Sequence, residues 1–193
     1  MNKSVLSMMM AVTIFAVASA QEKRFGIESV ILKGSVISGQ GEVVQTVLYI
    51  ADYGRKESSE IFTNDGHFFA LVTDDYVYRA NLTLKQGSKI SSENMKVHPN
   101  VNYLNLTNED KEKYQIEEKG IEQFLGKECK RYEMPITVLG QTGKASILIW
   151  QGLTLKSTVT IAGNTTVSEV SEIQAGVEIA KEKFELPEGI SWR

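Results

Sequence analysis

The stretch EVVQTVLYIA, residues 42–51, decides the fold class of this chain. β-Branched and aromatic residues dominate it, and these residue types are enriched in strands. Leu48 and Ile50 stand two positions apart, the spacing that places two apolar side chains on one face of a strand. The residues 39–41, GQG, form a turn signal just before the run. The sequence therefore predicts a half-buried strand that follows a tight turn.

The same pattern continues on both sides of this strand. Turn signals such as Asn64-Asp65-Gly66 separate further strand-like runs at intervals of roughly eight to twelve residues. The predicted strands cover residues 28–38, 42–51, 54–62, 67–73, 76–84, 126–138, 145–151, 155–162 and 165–174. Residues 54–62 are more polar than the others and are predicted to form an exposed or edge strand. Short connections favour antiparallel pairing, because a parallel pair needs a crossover of about a dozen residues.

A mainly β fold of about nine to eleven strands follows from this spacing. One large curled antiparallel sheet fits the pattern as well as two packed sheets do. A single large sheet has an apolar face that must be covered by closure, by a second layer or by a ligand.

The middle of the chain is predicted to be less regular. Residues 86–99 are polar and are expected to form loops. Thr107, followed three positions later by Asp110, is typical of a helix start, where side chains cap free backbone N–H groups. This pair predicts a short helix that ends by Tyr114. Residues 120–126 fit either a short non-strand segment or the end of a strand.

The first twenty residues have the composition of a secretory signal peptide. Lys3 is their one charged residue, and residues 5–17 form an apolar run. The small residues Ala18-Ser19-Ala20 then supply a cleavage site. The run is too short to span ~30 Å of hydrocarbon comfortably, so a membrane anchor is the weaker interpretation. We expect residues 1–20 to be removed and residues 21–193 to form one exported domain without a transmembrane segment.

The charge balance argues against a nucleic-acid partner. The chain holds 21 Lys and Arg against 24 Asp and Glu, and loss of Lys3 with the signal peptide changes the net charge from −3 to −4. These charges are scattered, whereas a nucleic-acid surface needs clustered Lys and Arg. Cys129 is the one cysteine of the chain. It cannot form an internal disulfide, and we expect it to be a buried, inert thiol.

Residues that could perform catalysis or bind a metal ion are scarce. His67 and His98 lie in different segments, and the chain contains no HExxH, paired CxxC, P-loop or GxSxG motif. Asn64-Asp65 and Asp74-Asp75 are typical of turns, where such side chains bond to their own backbone, rather than of a Ca²⁺ site. The sequence thus predicts no catalytic residue, no metal site, no cofactor and a protein that is not an enzyme.

Pairs of apolar residues two positions apart recur on separate predicted strands. Core packing explains most such pairs, but a large curled sheet can use part of its apolar surface to line a ligand cavity. The hypothesis is that the following residues bind an apolar ligand: Leu48, Ile50, Phe69, Leu71, Ile147, Ile149, Val159 and Ile161.

The C-terminal half resembles a family of exported proteins. Residues 117–132, EEKGIEQFLGKECKRY, are similar to the K-x-G-x-E-x-hydrophobic-x-G-x-x-C-x-x-Y segment of DUF4412-type proteins, relatives of the LolA-like periplasmic lipoprotein-carrier superfamily. Residues 149–156, IWQGLTLK, match the W-x-G-(I/L)-P-L-K motif that follows, with Thr154 where the family usually has Pro. Residues 184–190, FELPEGI, match its F-x-(L/I)-P-x-G ending. The match covers roughly residues 115–190.

The resemblance implies a half-open LolA-like barrel in which a few short helices cover an apolar concave face. The helix near residues 107–113 is then the candidate lid, and the ligand would be a lipid, an acyl chain or an acylated protein in a Gram-negative periplasm. Two other interpretations remain open. One is a non-enzymatic scaffold that binds an envelope protein through loops such as residues 86–99. The other is an enzyme with two close carboxylates of shifted pKa.

Overall fold

The computed structural model of the protein describes residues 23–91, 101–138 and 140–193. The strands that the sequence pattern predicts lie in one sheet. The predicted signal peptide, residues 1–20, lies outside the described residues. The described strands are β1 (Val30–Ile37), β2 (Val43–Ala51), β3 (Lys56–Thr63), β4 (Gly66–Val72), β5 (Tyr76–Asn81), β6 (Gln86–Ser91), β7 (Glu117–Phe124), β8 (Lys127–Val138), β9 (Gln141–Trp150), β10 (Leu153–Ile161), β11 (Asn164–Ala175) and β12 (Ser191–Trp192).

The sheet consists of two meanders joined side by side. Its strand order is β12-β6-β5-β4-β3-β2-β1-β11-β10-β9-β8-β7, so β1 and β11 form the junction between the two halves. The described strands pair antiparallel, with the exception of the two-residue β12, which runs parallel to β6. The predicted fold class is confirmed: the protein is mainly β, with one large curled sheet that does not close and a few short helices.

The strand β3 contradicts the prediction of an exposed or edge strand at residues 54–62. It lies between β2 and β4, and its five consecutive residues from Glu57 to Ile61 are all buried. Two of these residues are carboxylates, and each meets a cation from a distant segment: Arg24 bonds Glu57 and Lys183 bonds Glu60. A polar run can therefore occupy the middle of this sheet, because buried charges are tolerated when they are paired.

The ends of the two meanders agree with the prediction only in part. Residues 86–99 are predicted to be loops, but Gln86–Ser91 form β6 and pair with β5 along their length. The rest of that segment, residues 92–100, lies outside the described residues. Residues 120–126, which the sequence left open between two interpretations, begin within β7 and end in the turn that leads to β8. The strand β12 has two residues, too few to show any alternation.

Cross-strand partners share a face of a sheet. A continuous row of such partners crosses four neighbouring strands at Val36, Ser168, Ser157 and Ile147. We call the face that carries this row the helix face, because the α-helix α1 (Asn108–Tyr114) and the segment before it pack against it. We call the opposite face the tail face, because Lys183 and Trp192 of the C-terminal tail, residues 176–193, contact it. The ring of Trp192 meets Tyr78 edge-on there, at 5.5 Å between ring centroids.

The helix α1 begins where the sequence predicts it. Thr107 Oγ1 accepts a hydrogen bond from the N–H of Asp110 at 3.1 Å, and the Asp110 carboxylate accepts one from the N–H of Thr107 at 3.2 Å. This reciprocal pair is a capping box. The helix ends at Tyr114, after which Gln115 adopts a left-handed backbone. Within the described residues, no helix has the length and apolar character needed to cross a membrane.

Within the described residues, many of the buried apolar side chains fall into three separate clusters, while others, such as Phe69, Leu71 and Val77, belong to none of them. Cluster 1 joins the N-terminal segment to both halves of the sheet, cluster 2 lies under α1, and cluster 3 lies at the far end of β1 and β2. Cluster 1 is Phe25, Val30, Leu32, Ile50, Cys129, Leu148, Leu153 and Leu155. Cluster 2 is Val101, Ile116, Tyr132, Ile147 and Ile149. Cluster 3 is Val36, Val44, Ile61 and Phe68. The side chain of Cys129 is 0% exposed, as the sequence predicts for a buried thiol.

Candidate functional site

The register divides the eight residues that the sequence analysis assigned to ligand binding. Six of them share the helix face: Leu48, Ile50, Ile147, Ile149, Val159 and Ile161. Phe69 and Leu71 lie on the tail face, because Ala70 between them pairs with Ser59, which in turn pairs with Leu48. A pocket on one face of the sheet therefore cannot be lined by all eight residues.

Burial further separates the six residues on the helix face. Ile50 belongs to cluster 1, and Ile147 and Ile149 belong to cluster 2, so these three side chains are already packed against protein atoms. Leu48, Val159 and Ile161 are half-buried, and their remaining exposed surface faces away from the sheet on the helix face. These three are the residues of the predicted set with apolar surface to offer to a ligand.

Small side chains separate cluster 2 from cluster 3 on the helix face. Ser157 and Ser168 face each other on β10 and β11, between Ile147 of cluster 2 and Val36 of cluster 3. A serine projects less far from the sheet than an isoleucine or a tyrosine, so we expect the surface to be lower at these two positions. We call this strip the central trough, and it is formed by Ser157, Val159, Ile161, Thr166 and Ser168.

The helix α1 and the segment before it cover cluster 2 at the side of the central trough. Tyr114 is the residue of α1 that packs against this cluster, together with Tyr103 and Leu106 from the preceding segment. No residue of α1 is itself fully buried. The hydroxyl of Tyr103 reaches the sulfur of Met134 at 3.5 Å, and burial raises the pKa of Tyr103. The cover, which consists of α1 and the segment before it, therefore contacts cluster 2 through a few apolar side chains.

Two charged side chains, Glu57 and Arg79, lie on the helix face of the described strands β1 to β6. The Glu57 carboxylate accepts a hydrogen bond from Arg24 Nη1 at 2.8 Å, and both side chains are largely buried. Burial raises the pKa of Glu57, and the neighbouring Arg24 opposes that rise. Arg79 is half-buried, and burial lowers the pKa of its guanidinium.

A second group of charges ties the C-terminal tail to the tail face. The Glu60 carboxylate contacts Lys183 Nζ at 2.6 Å and His67 Nε2 at 2.7 Å, and Lys183 also lies 4.7 Å from the centre of the Tyr49 ring. Burial by itself would raise the pKa of Glu60, but the hydrogen bonds from Lys183 and His67 lower it below its usual range. These contacts fix the position of the tail rather than form an open site.

Among the described residues, potential metal ligands are not grouped and the one thiol is buried. Within the part of the chain that the structure describes, no three His, Cys, Asp or Glu side chains are grouped so that they could hold a metal ion. Burial raises the pKa of the Cys129 thiol, which opposes formation of the reactive thiolate. The carboxylates of Glu57 and Glu60 are paired with cations, and the carboxylate of Asp110 belongs to the capping box of α1.

The sequence analysis did not single out Arg79, although its strand carried a signal. In YVYRAN (Tyr76–Asn81), Arg79 follows Val77 by two positions and therefore shares its face. Val77 is 0% exposed, so an arginine in the same phase of the strand faces the covered side of the sheet. Ser157 and Ser168 carried no such signal, because serine is common on exposed faces.

Comparison with known proteins identifies the fold but no family. No family model and no curated protein sequence matches the chain. An uncharacterized conserved protein from Thermus thermophilus has a similar crystal structure, with a TM-score of 0.56, 10% sequence identity, and coverage of 99% of this chain and 100% of that one. At this level of identity the similarity establishes a shared fold alone. Membership of the DUF4412 family stays a prediction.

Weaker structural similarities include a lipoprotein and a lipoprotein-sorting protein domain. The Mycobacterium tuberculosis lipoprotein LppX has a TM-score of 0.46 and 12% identity, with coverage of 80% of this chain and 91% of that one. A putative outer membrane lipoprotein-sorting protein domain from Vibrio parahaemolyticus has a TM-score of 0.41 and 16% identity, with coverage of 83% and 91%. Scores below 0.5 support no inference about this chain.

Proposed function

We propose that the protein is a non-enzymatic carrier or sensor of the cell envelope that binds a lipid, an acyl chain or an acylated protein on the helix face. The observation that carries the proposal is the division of the apolar residues into separate clusters with the central trough between two of them. A domain of this size usually has one contiguous core. Half-buried apolar side chains beside a lower strip offer contact area to an apolar ligand instead.

The energy of binding would come mainly from the apolar surface that a ligand removes from water. That gain is about 25 cal/mol per Å². The central trough itself contains no charged residue, so selectivity for the length or branching of the chain would be low. The cover formed by α1 adds a means of release, because it is held by Tyr103, Leu106 and Tyr114 and could separate from cluster 2 as a unit.

Export to the periplasm is part of the same proposal. It is supported by the charge and hydropathy pattern of residues 1–20 and by the motifs of residues 115–190 described above. Native mass spectrometry of protein purified from its own envelope, followed by organic extraction, would identify a bound lipid. A ligand-free mass together with no uptake of added lipid would contradict the proposal.

A matched pair of variants tests the location of the site. Ser168→Phe fills the central trough, whereas Ser35→Phe places the same side chain at a half-buried serine of the tail face. Delipidated wild-type protein should enhance the fluorescence of the neutral probe N-phenyl-1-naphthylamine. We expect Ser168→Phe to weaken the binding of this probe at least tenfold and Ser35→Phe to leave it unchanged. Equal effects of the two variants would place the site elsewhere.

A protein-binding scaffold is the second candidate function, and an exposed apolar patch favours it. Ile37 and Val43 face each other on β1 and β2, and they are 44% and 50% exposed. Phe62 on the neighbouring β3 is 40% exposed. A complex that survives delipidation and is lost in Val43→Glu would support this function. A partner that dissociates when lipid is removed would support the carrier instead.

A further inference from the structure

Arg79 is the charged residue of an otherwise uncharged row of the helix face. Cross-strand pairing aligns one residue from each of seven neighbouring strands in this row: Ser88, Arg79, Ala70, Ser59, Leu48, Leu32 and Ile173. Among the described residues, no hydrogen bond, ion pair or ring contact involves the Arg79 side chain. Burial lowers the pKa of its guanidinium.

Three of the four other arginines are compensated. Arg24, Arg55 and Arg131 each pair with a carboxylate. The contrast matters because a guanidinium that is removed from water without a counter-charge costs free energy, and proteins normally offset that cost with an acceptor. A half-buried arginine without a described partner is therefore suited to bind an anion.

A second unpaired polar group lies two strands away in the same row. Ser59 is 7% exposed, and its Oγ has no hydrogen-bond partner within the described part of the protein. Ala70 stands between Ser59 and Arg79, and its side chain is the shortest of the three. The backbones of β3 and β5 are roughly 10 Å apart at two interstrand spacings. An anion above Ala70 could therefore accept hydrogen bonds from both sides.

We infer that Arg79, assisted by Ser59, binds the oxyanion headgroup of a long-chain amphiphile whose apolar chain lies along the helix face. This inference rests on the proposed carrier function and specifies its ligand class; the chain lies over β2 to β5, on the same face as the central trough but outside it. A guanidinium presents two parallel N–H donors that match the two oxygens of a carboxylate or phosphate, and the serine hydroxyl adds a further donor.

The distances along the row suit an acyl chain. Leu48 is three interstrand spacings from Arg79, or roughly 14 Å along the sheet. One leaflet of a bilayer, half of a hydrocarbon core of about 30 Å, corresponds to roughly 15 Å of chain. An amphiphile anchored at Arg79 would thus extend across Ala70 and Ser59 and place its end on the half-buried Leu48. The apolar end of the row continues to Leu32 and Ile173.

The experiment compares two probes that differ in charge at one end. Delipidated protein is titrated with 11-(dansylamino)undecanoate and with its methyl ester, and dansyl fluorescence reports binding. A charge-assisted hydrogen bond contributes about 1.5–3 kcal/mol, so wild-type protein should prefer the carboxylate by roughly 10- to 100-fold. Arg79→Met should bind the two probes equally, and Ser59→Ala should reduce the preference by a smaller factor.

The controls separate failure of this inference from failure of the proposed function. Arg79 has no described ion pair to lose, so Arg79→Met should keep the circular dichroism and thermal midpoint of the wild type. Arg55→Met, at an exposed arginine, should keep the full preference for the carboxylate. Equal binding of both probes by wild-type protein would overturn the headgroup site and leave the carrier function intact, whereas binding of neither probe would overturn both. Displacement of the carboxylate probe by inorganic phosphate alone would indicate a site for a free anion and overturn the assignment to an amphiphile.

Discussion

The buried ion pair between Arg24 and Glu57 gives the clearest quantitative test of the structure. Arg24 Nη1 donates a hydrogen bond to Glu57 at 2.8 Å and a second one to the carbonyl of Gly54 at 3.3 Å. The side chain of Glu57 is 5% exposed, and that of Arg24 is 11% exposed. We predict that Arg24→Met lowers the free energy of unfolding by about 3 kcal/mol at neutral pH, because it leaves a buried carboxylate without its counter-charge.

The pH dependence of this loss has a defined sign. The pKa of Glu57 in the folded protein lies above its ordinary value of 4.5, because burial raises it more than Arg24 lowers it. A carboxyl group whose pKa is higher in the folded than in the unfolded protein stabilises the folded state at pH values below its pKa in the unfolded protein. This stabilisation is lost as the pH rises through its pKa in the folded protein. Arg24→Met removes the influence that lowers the pKa of Glu57. We therefore expect the variant to lose stability more steeply than the wild type as the pH rises above 4.5.

Urea-induced unfolding, followed by the fluorescence of Trp150 and Trp192, measures both effects at about pH 5 and pH 7.5. The double variant Arg24→Met/Glu57→Met should regain most of the lost free energy, because apolar replacement of a buried ion pair is often close to neutral. The reasoning would be wrong if Arg24→Met cost less than about 1 kcal/mol at the higher pH, or if its cost were the same at both pH values.

Three further predictions concern α1, the tail and the thiol. Thr107→Ala should destabilise α1 by about 1 kcal/mol and speed amide hydrogen exchange at Asn108–Tyr114, because it removes the capping hydroxyl. Thr107→Ser keeps the hydroxyl and should have neither effect. Unchanged exchange in Thr107→Ala would contradict the role of the capping box. Lys183→Met should cost about 1 kcal/mol or less by thermal unfolding, since the side chain of Lys183 is still 40% exposed. In the wild type, the contribution of Glu60 should be lost as the pH falls from 4.5 through its lowered pKa, and a tail contact insensitive to acid would contradict this. Cys129 should resist a thiol reagent until the protein unfolds, and rapid labelling of native protein would show that the site is open.

The sequence predicted the features that depend on local signals. Residues 42–51 form a strand because strand-forming side chains and turn residues act within a few positions of each other. The capping box at Thr107 is equally local, and it placed α1 correctly. Most of the remaining strands, including the long β8, β10 and β11, were recognisable for the same reason.

The features that depend on distant partners could not be predicted from the sequence. Phe69 and Leu71 show the same i, i+2 spacing as Leu48 and Ile50, yet they lie on the opposite face. Strand register decides the face, and a shift of one residue reverses it. The burial of Glu57 and Glu60 in β3 depends on cations from distant segments of the chain, Arg24 and Lys183. Arg79 acquires its significance from the absence of a described partner, which no local pattern reveals.

The junction between β1 and β11 has a consequence for how the protein folds. Each meander consists of hairpins between consecutive strands, but Val30 pairs with Ala175, far along the chain. Local hairpins form quickly, whereas closure of a long loop carries a larger entropic cost and slows the step that needs it. We expect the two halves to gain structure first and the junction to form late. Val170→Ala, within this junction, should then accelerate unfolding with little effect on the refolding rate, and a slowed refolding rate would instead place the junction in the folding nucleus.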